Sequence, residues 1–120
     1  MSTFSFENLD VYQRALSFSK QVLGLTTDNR GNRSWCDQFN RAAMSVVLNI
    51  AEGSGRYHMK DKLNFYYIAR GSAFECVPLI DIGTSIHIID DSTRITLRSD
   101  LLAIAQMLTK LIQNTRPAST

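Results

Sequence analysis

The 120-residue sequence has few of the features that mark secreted, membrane-bound or metal-binding proteins. Its longest uncharged stretch, residues 42–51, is about half the length of a membrane span. The first ten residues contain neither a basic side chain nor an apolar run, so we expect no signal peptide, a cytoplasmic location and no membrane association. Cys36 and Cys76 stand alone, outside any CxxC or CxxH pattern, which excludes a disulfide scaffold and gives no indication of a zinc site.

The sequence also has little excess of either charge. Thirteen Lys and Arg against eleven Asp and Glu leave a net charge of +2, which is too small to indicate a nucleic-acid-binding protein by itself. The basic residues are nine arginines and four lysines, and guanidinium groups are preferred in phosphate contacts and buried ion pairs. With 44% apolar residues, the chain has the composition of one globular domain, which we place at residues 1–120.

Apolar residues recur every three or four positions in four segments, and no segment alternates with the period of a β-strand. The spacing predicts helices over about residues 7–25, 34–53, 60–88 and 93–113, with a flexible tail at 114–120. Short loops between such helices are typical of an all-α, up-and-down antiparallel four-helix bundle. Pro78 should kink the third helix or remove one of its hydrogen bonds, and the glycines at 53 and 55 should end or bend the second.

Polar residues form a second pattern on the middle two helices. If the second helix persists to Arg56, one of its faces carries Arg41, Ser45, Asn49, Glu52 and Arg56, and a face of the third carries Lys62, Tyr66 and Arg70. In a structural interpretation, a partly buried network that fixes helix register or a subunit contact is formed by Asn49, Glu52, Arg70 and Glu75. Gly71 in mid-helix then indicates close approach of another helix backbone.

In a functional interpretation, phosphate-binding donors lie together at one end of the bundle, namely Arg41, Arg56, Lys60, Lys62 and Arg70. Tyr57, Tyr66 and Tyr67 would then be free to stack on bases. Trp35 and Tyr57 fall outside the apolar stripes and are candidates for a subunit contact.

Catalysis has little support from the residues. A di-iron bundle needs two ExxH pairs, and no glutamate in the chain has a histidine three residues later. The glycines at 53 and 55 follow no predicted strand and precede no GK[ST], so they do not form a phosphate loop. We therefore expect no catalytic residue, no metal site and no cofactor.

Two segments, RAAMSVVLNIAEGSGR at 41–56 and FYYIARGSAFE at 65–75, resemble the four-helix-bundle proteins encoded in intervening sequences of bacterial 23S rRNA genes. The shared pattern is NIAEG, an arginine shortly after it, and then F…IA.GS..E; the opening FENLDVY at 6–12 also resembles the family. The accessory protein of diversity-generating retroelements is a more distant relative by the same resemblance. The motif residues here are Asn49, Glu52, Gly53, Arg56, Arg70, Gly71, Ser72 and Glu75.

The resemblance implies a ring-like homo-oligomer, with a pentamer favoured, that associates with nucleic acid, structured RNA ahead of DNA. The expected function is thus that of a non-enzymatic, homo-oligomeric RNA-binding protein. The alternative is an interaction scaffold whose ring docks a partner protein without binding nucleic acid. Five copies would carry a charge of about +10 and would repeat any arginine cluster around one face.

Overall fold

The computed structural model describes residues 3–117 and confirms the predicted all-α bundle. A short 3₁₀ helix, Ser5–Asn8, leads into α1 (Asp10–Thr27), which is followed by α2 (Arg33–Ser54), α3 (Met59–Ser85) and α4 (Asp91–Thr115). Each helix packs against two neighbours, with α4 closing the square against α1, and the backbones of the diagonal pairs stay apart within the described residues. The chain thus runs up and down around one core.

Helix boundaries depart from the predicted ones at both ends of the chain. The first helix begins at Asp10 rather than residue 7, because residues 5–8 form the separate 3₁₀ turn. α4 continues through Thr115, so residues 114 and 115, predicted as tail, are helical, while residues 118–120 of that tail lie outside the described chain. α3 runs unbroken through Pro78, which lacks the N–H that would bond the carbonyl of Phe74.

The turn between α3 and α4 is closed by backbone bonds and a cap. α3 ends at Ser85, three residues before the predicted end, because His87 adopts a φ of 65°. The N–H of Ile88 then bonds the carbonyl of Gly83 at 3.0 Å, as in other helix ends with a left-handed residue. Asp90 caps α4 by accepting from the backbone N–H of Thr93 at 2.8 Å, and this bond lowers the pKa of Asp90.

The core confirms the predicted apolar stripes of the second and fourth helices. The buried residues of α2 include Phe39, Ala42, Ala43, Val46, Val47 and Ile50, and those of α4 are Leu97, Leu101, Ile104, Leu108 and Ile112. Both cysteines are free and buried. Burial raises the pKa of the Cys76 thiol to about 12 and also raises that of Cys36, so both are neutral core residues near pH 7.

Trp35 also belongs to this core, so its prediction as a subunit contact was wrong. Its side chain is 8% exposed, and its indole N–H donates to the carbonyl of Leu79 at 2.8 Å. The ring lies against Gly83, where a Cβ would come within 2.5 Å of Trp35 Cζ2. Trp35 precedes Phe39 by four residues, so the apolar stripe of α2 begins one turn earlier than predicted.

None of the helices between residues 3 and 117 combines the length and apolarity that a membrane crossing requires. The same residues contain no group of three or more His, Cys, Asp or Glu side chains placed to hold a metal ion.

Candidate nucleic-acid interface

The α2–α3 junction places three of the predicted cations at one end of the bundle. α2 ends at Ser54 with Gly55 as its C-cap, so Arg56 lies in the loop and not on the helix. Arg56 nevertheless forms an ion pair with Glu52 at 3.2 Å, and its Cζ lies 4.7 Å from the ring centroid of Phe65. Lys60 follows in the first turn of α3 and is exposed.

Lys62 has a structural role at this junction. Its Nζ donates to the carbonyl of Ser54 at 2.9 Å and to that of Gly53 at 3.4 Å. These carbonyls belong to the last turn of α2, where they have no partner within the helix and where a positive charge is favourable. Lys62 therefore ties the start of α3 to the end of α2 and still adds its charge to this end of the bundle.

Arg41 does not join these cations, which corrects its prediction as part of one cluster. It lies in the first half of α2, about four helical turns before Arg56. Its guanidinium bonds Gln38 Oε1 at 2.6 Å and faces Glu75 at 3.7 Å. The i, i+4 pattern placed Arg41 on the correct face, but a shared face of a long helix does not place residues at the same end.

Arg70 faces α4, where the sequence analysis missed two further cations, Lys110 and Arg116. The Arg70 guanidinium donates to Thr109 Oγ1 at 3.3 Å, and its Cζ lies 5.3 Å from the ring centroid of Tyr67. Arg116, just past the end of α4, has its Cζ 5.6 Å from the same centroid and donates to the Tyr67 hydroxyl. Lys110 is exposed one position after Thr109. Their position near or just after the end of the fourth helix was the available signal, because an antiparallel neighbour ends where α3 begins.

The net charge of the chain resides in this half of the bundle, which we call the cationic half. Its six basic residues are Arg56, Lys60, Lys62, Arg70, Lys110 and Arg116, and its four acidic residues are Glu7, Asp10, Glu52 and Asp61. The Arg14–Asp100 ion pair lies at its boundary and is neutral. The opposite half contains six basic and six acidic residues, so its net charge is zero. The net charge of +2 is thus carried entirely by the cationic half.

The three tyrosines considered for base stacking have different environments. Tyr66 is 3% exposed, so the prediction that it is free to stack was wrong. Burial raises the pKa of the Tyr66 hydroxyl, and the Ser54 side chain beside it acts in the opposite direction. Tyr57 is 90% exposed, and its use as a stacking or subunit contact stays a prediction. Tyr67 is half-buried and holds the two guanidiniums.

Comparison with known proteins decides the family. The family model described as 23S rRNA-intervening sequence protein matches residues 7–110. The chain belongs to this family. The resemblance found in the sequence motifs is therefore confirmed over most of the chain.

The fold also matches a solved crystal structure. The crystal structure of a protein from Bacteroides thetaiotaomicron, described as having unknown function and as belonging to the S23 ribosomal protein family, matches with a TM-score of 0.80. The match covers 86% of this chain and 98% of that chain at 20% sequence identity, so it shows a shared fold. No curated protein sequence matches the chain significantly.

The polar motif residues of the chain pair separately, which corrects the prediction of one network. Asn49 Nδ2 donates to Ser45, to its carbonyl at 2.8 Å and to its hydroxyl at 3.1 Å, and the Ser45 and Ser72 hydroxyls are 2.7 Å apart. The three other expected members each pair elsewhere: Glu52 with Arg56, Glu75 with Arg41, and Arg70 with Thr109. The serine pair fixes the register of α2 against α3 at mid-length.

The two motif glycines differ in what surrounds them. A Cβ on Gly53 would lie 2.7 Å from Tyr66 Cε1, so this glycine admits the tyrosine ring against the backbone of α2. Gly53 is thus a contact glycine inside the helix, and the helix ends after it. Gly71 is exposed, and a Cβ there would meet nothing within 4 Å. The predicted helix approach at Gly71 is therefore wrong within the chain.

We predict that Gly53→Ala destabilises the protein by about 1–3 kcal/mol, because the new methyl group overlaps the buried Tyr66 ring. Gly55→Ala is the matched control, since its nearest neighbours would be 3.7 Å away and its φ of −81° suits alanine. Chemical denaturation of both variants measures the difference. Equal stability of Gly53→Ala and Gly55→Ala would contradict the role of the contact.

Proposed function

We propose that this protein is a non-enzymatic homo-oligomer that binds structured RNA through its cationic half. The observation that supports this most strongly is the concentration of six basic residues beside four acidic ones, with balanced charge in the other half. Four of the five basic residues first predicted from the sequence belong to this half, and only Arg41 lies outside it. The family description refers to 23S rRNA, which favours RNA over DNA as the ligand.

The mechanism we propose is neutralisation of backbone phosphates. Lys60 and Lys110 are exposed and have no carboxylate within ion-pair distance in the described chain, so their charge is available to a ligand. Arg56 is partly neutralised by Glu52 and contributes less. A symmetric oligomer would repeat the cationic half around one rim, so that a small charge per chain becomes an extended field.

We predict that Lys60→Glu combined with Lys110→Glu lowers the affinity for a fluorescently labelled structured RNA hairpin by about tenfold or more. The matched control is Lys20→Glu combined with Arg30→Glu, which changes the charge equally in the other half and should stay within about twofold of wild type. Fluorescence anisotropy at several salt concentrations measures both. With six phosphate contacts, wild-type affinity should fall about 1,000-fold between 50 and 200 mM salt.

Two results would contradict RNA binding by the cationic half. One is the absence of hairpin binding even at low salt, and the other is an equal loss of affinity in the two double variants. Binding that does not change with salt would contradict phosphate neutralisation as the mechanism.

Two separate apolar surfaces support self-association. The α2–α3 strip consists of Met44, Leu48 and Ile68, which are 49%, 60% and 44% exposed. Leu48 and Ile68 lie about one turn from Ser45 and Ser72 on the same side of that hydroxyl pair, so they are at the same level of the bundle.

The second surface lies on the other flank of α3. The α3–α4 groove has a volume of about 440 Å³ and is lined mainly by Phe74, Val77, Ile95, Leu102 and Ala105. Phe74, Ile95 and Leu102 are each more than half exposed. We propose that the strip of one copy packs into the groove of the next. Contacts between unlike surfaces repeat head to tail, and they give a closed ring when the rotation between neighbouring copies divides a full turn. The family resemblance favours a ring of five copies.

The groove also favours the second candidate function, docking of a partner protein. Its rim carries Arg94 and Arg98, which share the carboxylate of Asp81 at 3.5 Å each. An apolar floor with a charged rim is the usual anatomy of a protein-binding surface. A scaffold of this kind would bind its partner through the α3–α4 groove and would not need the cationic half.

We predict that Leu48→Glu and Leu102→Glu each convert the oligomer to monomer, because each buries a charge at one side of the interface. When the two variants are mixed, the intact strip of one fits the intact groove of the other, so 1:1 dimers should form and no larger species. Leu23→Glu on α1, also at an exposed leucine, is the control and should leave the oligomer unchanged. Light scattering coupled to size-exclusion chromatography measures the mass of the three variants and of the mixture.

Monomeric wild-type protein, or single variants that still assemble, would contradict the strip-and-groove interface. A groove left free in a monomer would then support the partner-docking alternative.

A further inference from the structure

Arg70 combines two properties: it is half-buried, and it faces no carboxylate among the described residues. Five of the nine arginines face a carboxylate within 4.0 Å, namely Arg14, Arg41, Arg56, Arg94 and Arg98. Of the other four, Arg30, Arg33 and Arg116 are exposed, and Arg70 is half-buried. The positive charge of Arg70 is therefore not neutralised within the described chain, and an anionic ligand would supply the counter-charge.

The Arg70 guanidinium is held in place and keeps free donors. It donates to Thr109 Oγ1 at 3.3 Å, and the Tyr67 ring lies 5.3 Å away, within cation–π range. A guanidinium has five N–H donors, and the Thr109 bond uses one of its terminal nitrogens. Thr109, which accepts from Arg70, still has its own hydroxyl proton to donate. The remaining donors can therefore serve an anion.

Arg116 brings a second guanidinium to the same ring. It donates to the Tyr67 hydroxyl, and its Cζ lies 5.6 Å from the ring centroid. Since each guanidinium lies within 5.6 Å of one centroid, the two Cζ atoms are no more than about 11 Å apart. Two guanidiniums at this separation on one tyrosine can contact one phosphodiester or two consecutive ones.

Two shallow hollows are lined by the residues that contact these arginines, Thr109 in one hollow and Tyr67 in the other. One, of about 450 Å³, is lined by Thr109, Lys110 and Gln113 among others on α4. The other, of about 590 Å³, is lined by Lys60, Asn64 and Tyr67 among others at the start of α3. Each hollow combines a lysine with a side-chain amide, and the second is also lined by Asp61. The lysine suits a phosphate, and the amide can donate to and accept from the edge of an unpaired base.

We propose that Tyr67, Arg70 and Arg116 form a phosphate site for a single-stranded segment of RNA. The two guanidiniums bind the backbone, and the neighbouring nucleotides occupy the two hollows. This inference rests on the proposed RNA binding and deepens it: the ligand is an unpaired stretch, such as a loop or an end. Duplex RNA keeps its bases stacked and paired, so it has no unpaired base to place in either hollow.

The test compares a labelled ten-nucleotide oligouridine with a labelled blunt RNA duplex by fluorescence anisotropy. Arg70→Gln and Arg116→Gln should each weaken oligouridine binding by about tenfold, because each removes charge-assisted hydrogen bonds. Arg70→Lys should weaken it almost as much, since a lysine keeps the charge but not the planar fork. Arg94→Gln is the matched control, as it removes one charge from another half-buried arginine, and should leave oligouridine binding within about twofold of wild type.

Thermal melting checks that each variant is folded. If Arg70→Gln is unstable, Arg116→Gln still tests the site, because Arg116 is exposed and its replacement should not disturb the core. Wild-type affinity for Arg70→Lys, or an equal loss in Arg94→Gln, would overturn the site, as would stronger binding of the duplex. So would full displacement of oligouridine by inorganic phosphate at matched ionic strength, which would indicate a site for free phosphate. Binding of the structured hairpin with no oligouridine binding overturns this inference alone, whereas loss of both ligands overturns the proposed function as well.

Discussion

The close contact between α2 and α3 is the constraint on which the rest of the molecule depends. Near one end of the pair, Gly53 admits the Tyr66 ring, and near the other, Gly83 admits the indole of Trp35. The Ser45–Ser72 hydroxyl pair lies between them at 2.7 Å. Together, these three contacts between α2 and α3 are compatible with only one antiparallel register. Sliding α3 by one turn would drive both rings into a backbone or side chain that has no room for them.

That register determines where the charges and the exposed apolar residues lie. It places Lys62 against the last carbonyls of α2, and so fixes the loop that carries Arg56 and Lys60. The antiparallel return of α4 then brings Lys110 and Arg116 beside the first turns of α3. A chain whose net charge is only +2 thereby gains one half with all of its excess positive charge. The proposed RNA surface is a consequence of topology more than of composition.

Periodicity in the sequence was sufficient for the fold and insufficient for the site. The spacing of apolar residues predicted four helices and most of the α2 and α4 core, because burial of one face is a local property of a helix. The motif NIAEG predicted the family. Arg41 was wrongly included among the clustered cations and Arg116 was left out, because helix length and register decide at which end of the bundle a residue lies. Trp35 and Gly71 were misjudged because close approach between helices depends on a partner that periodicity does not identify.

Lysine footprinting tests the proposed role of the cationic half most directly. The acetylation rates of Lys20, Lys60 and Lys110, all exposed in the structure, are measured by mass spectrometry with and without a saturating structured RNA hairpin. RNA should protect Lys60 and Lys110 and leave Lys20 unchanged. Equal protection of Lys20, or unchanged rates at Lys60 and Lys110 while RNA is bound, would contradict binding through this half of the bundle.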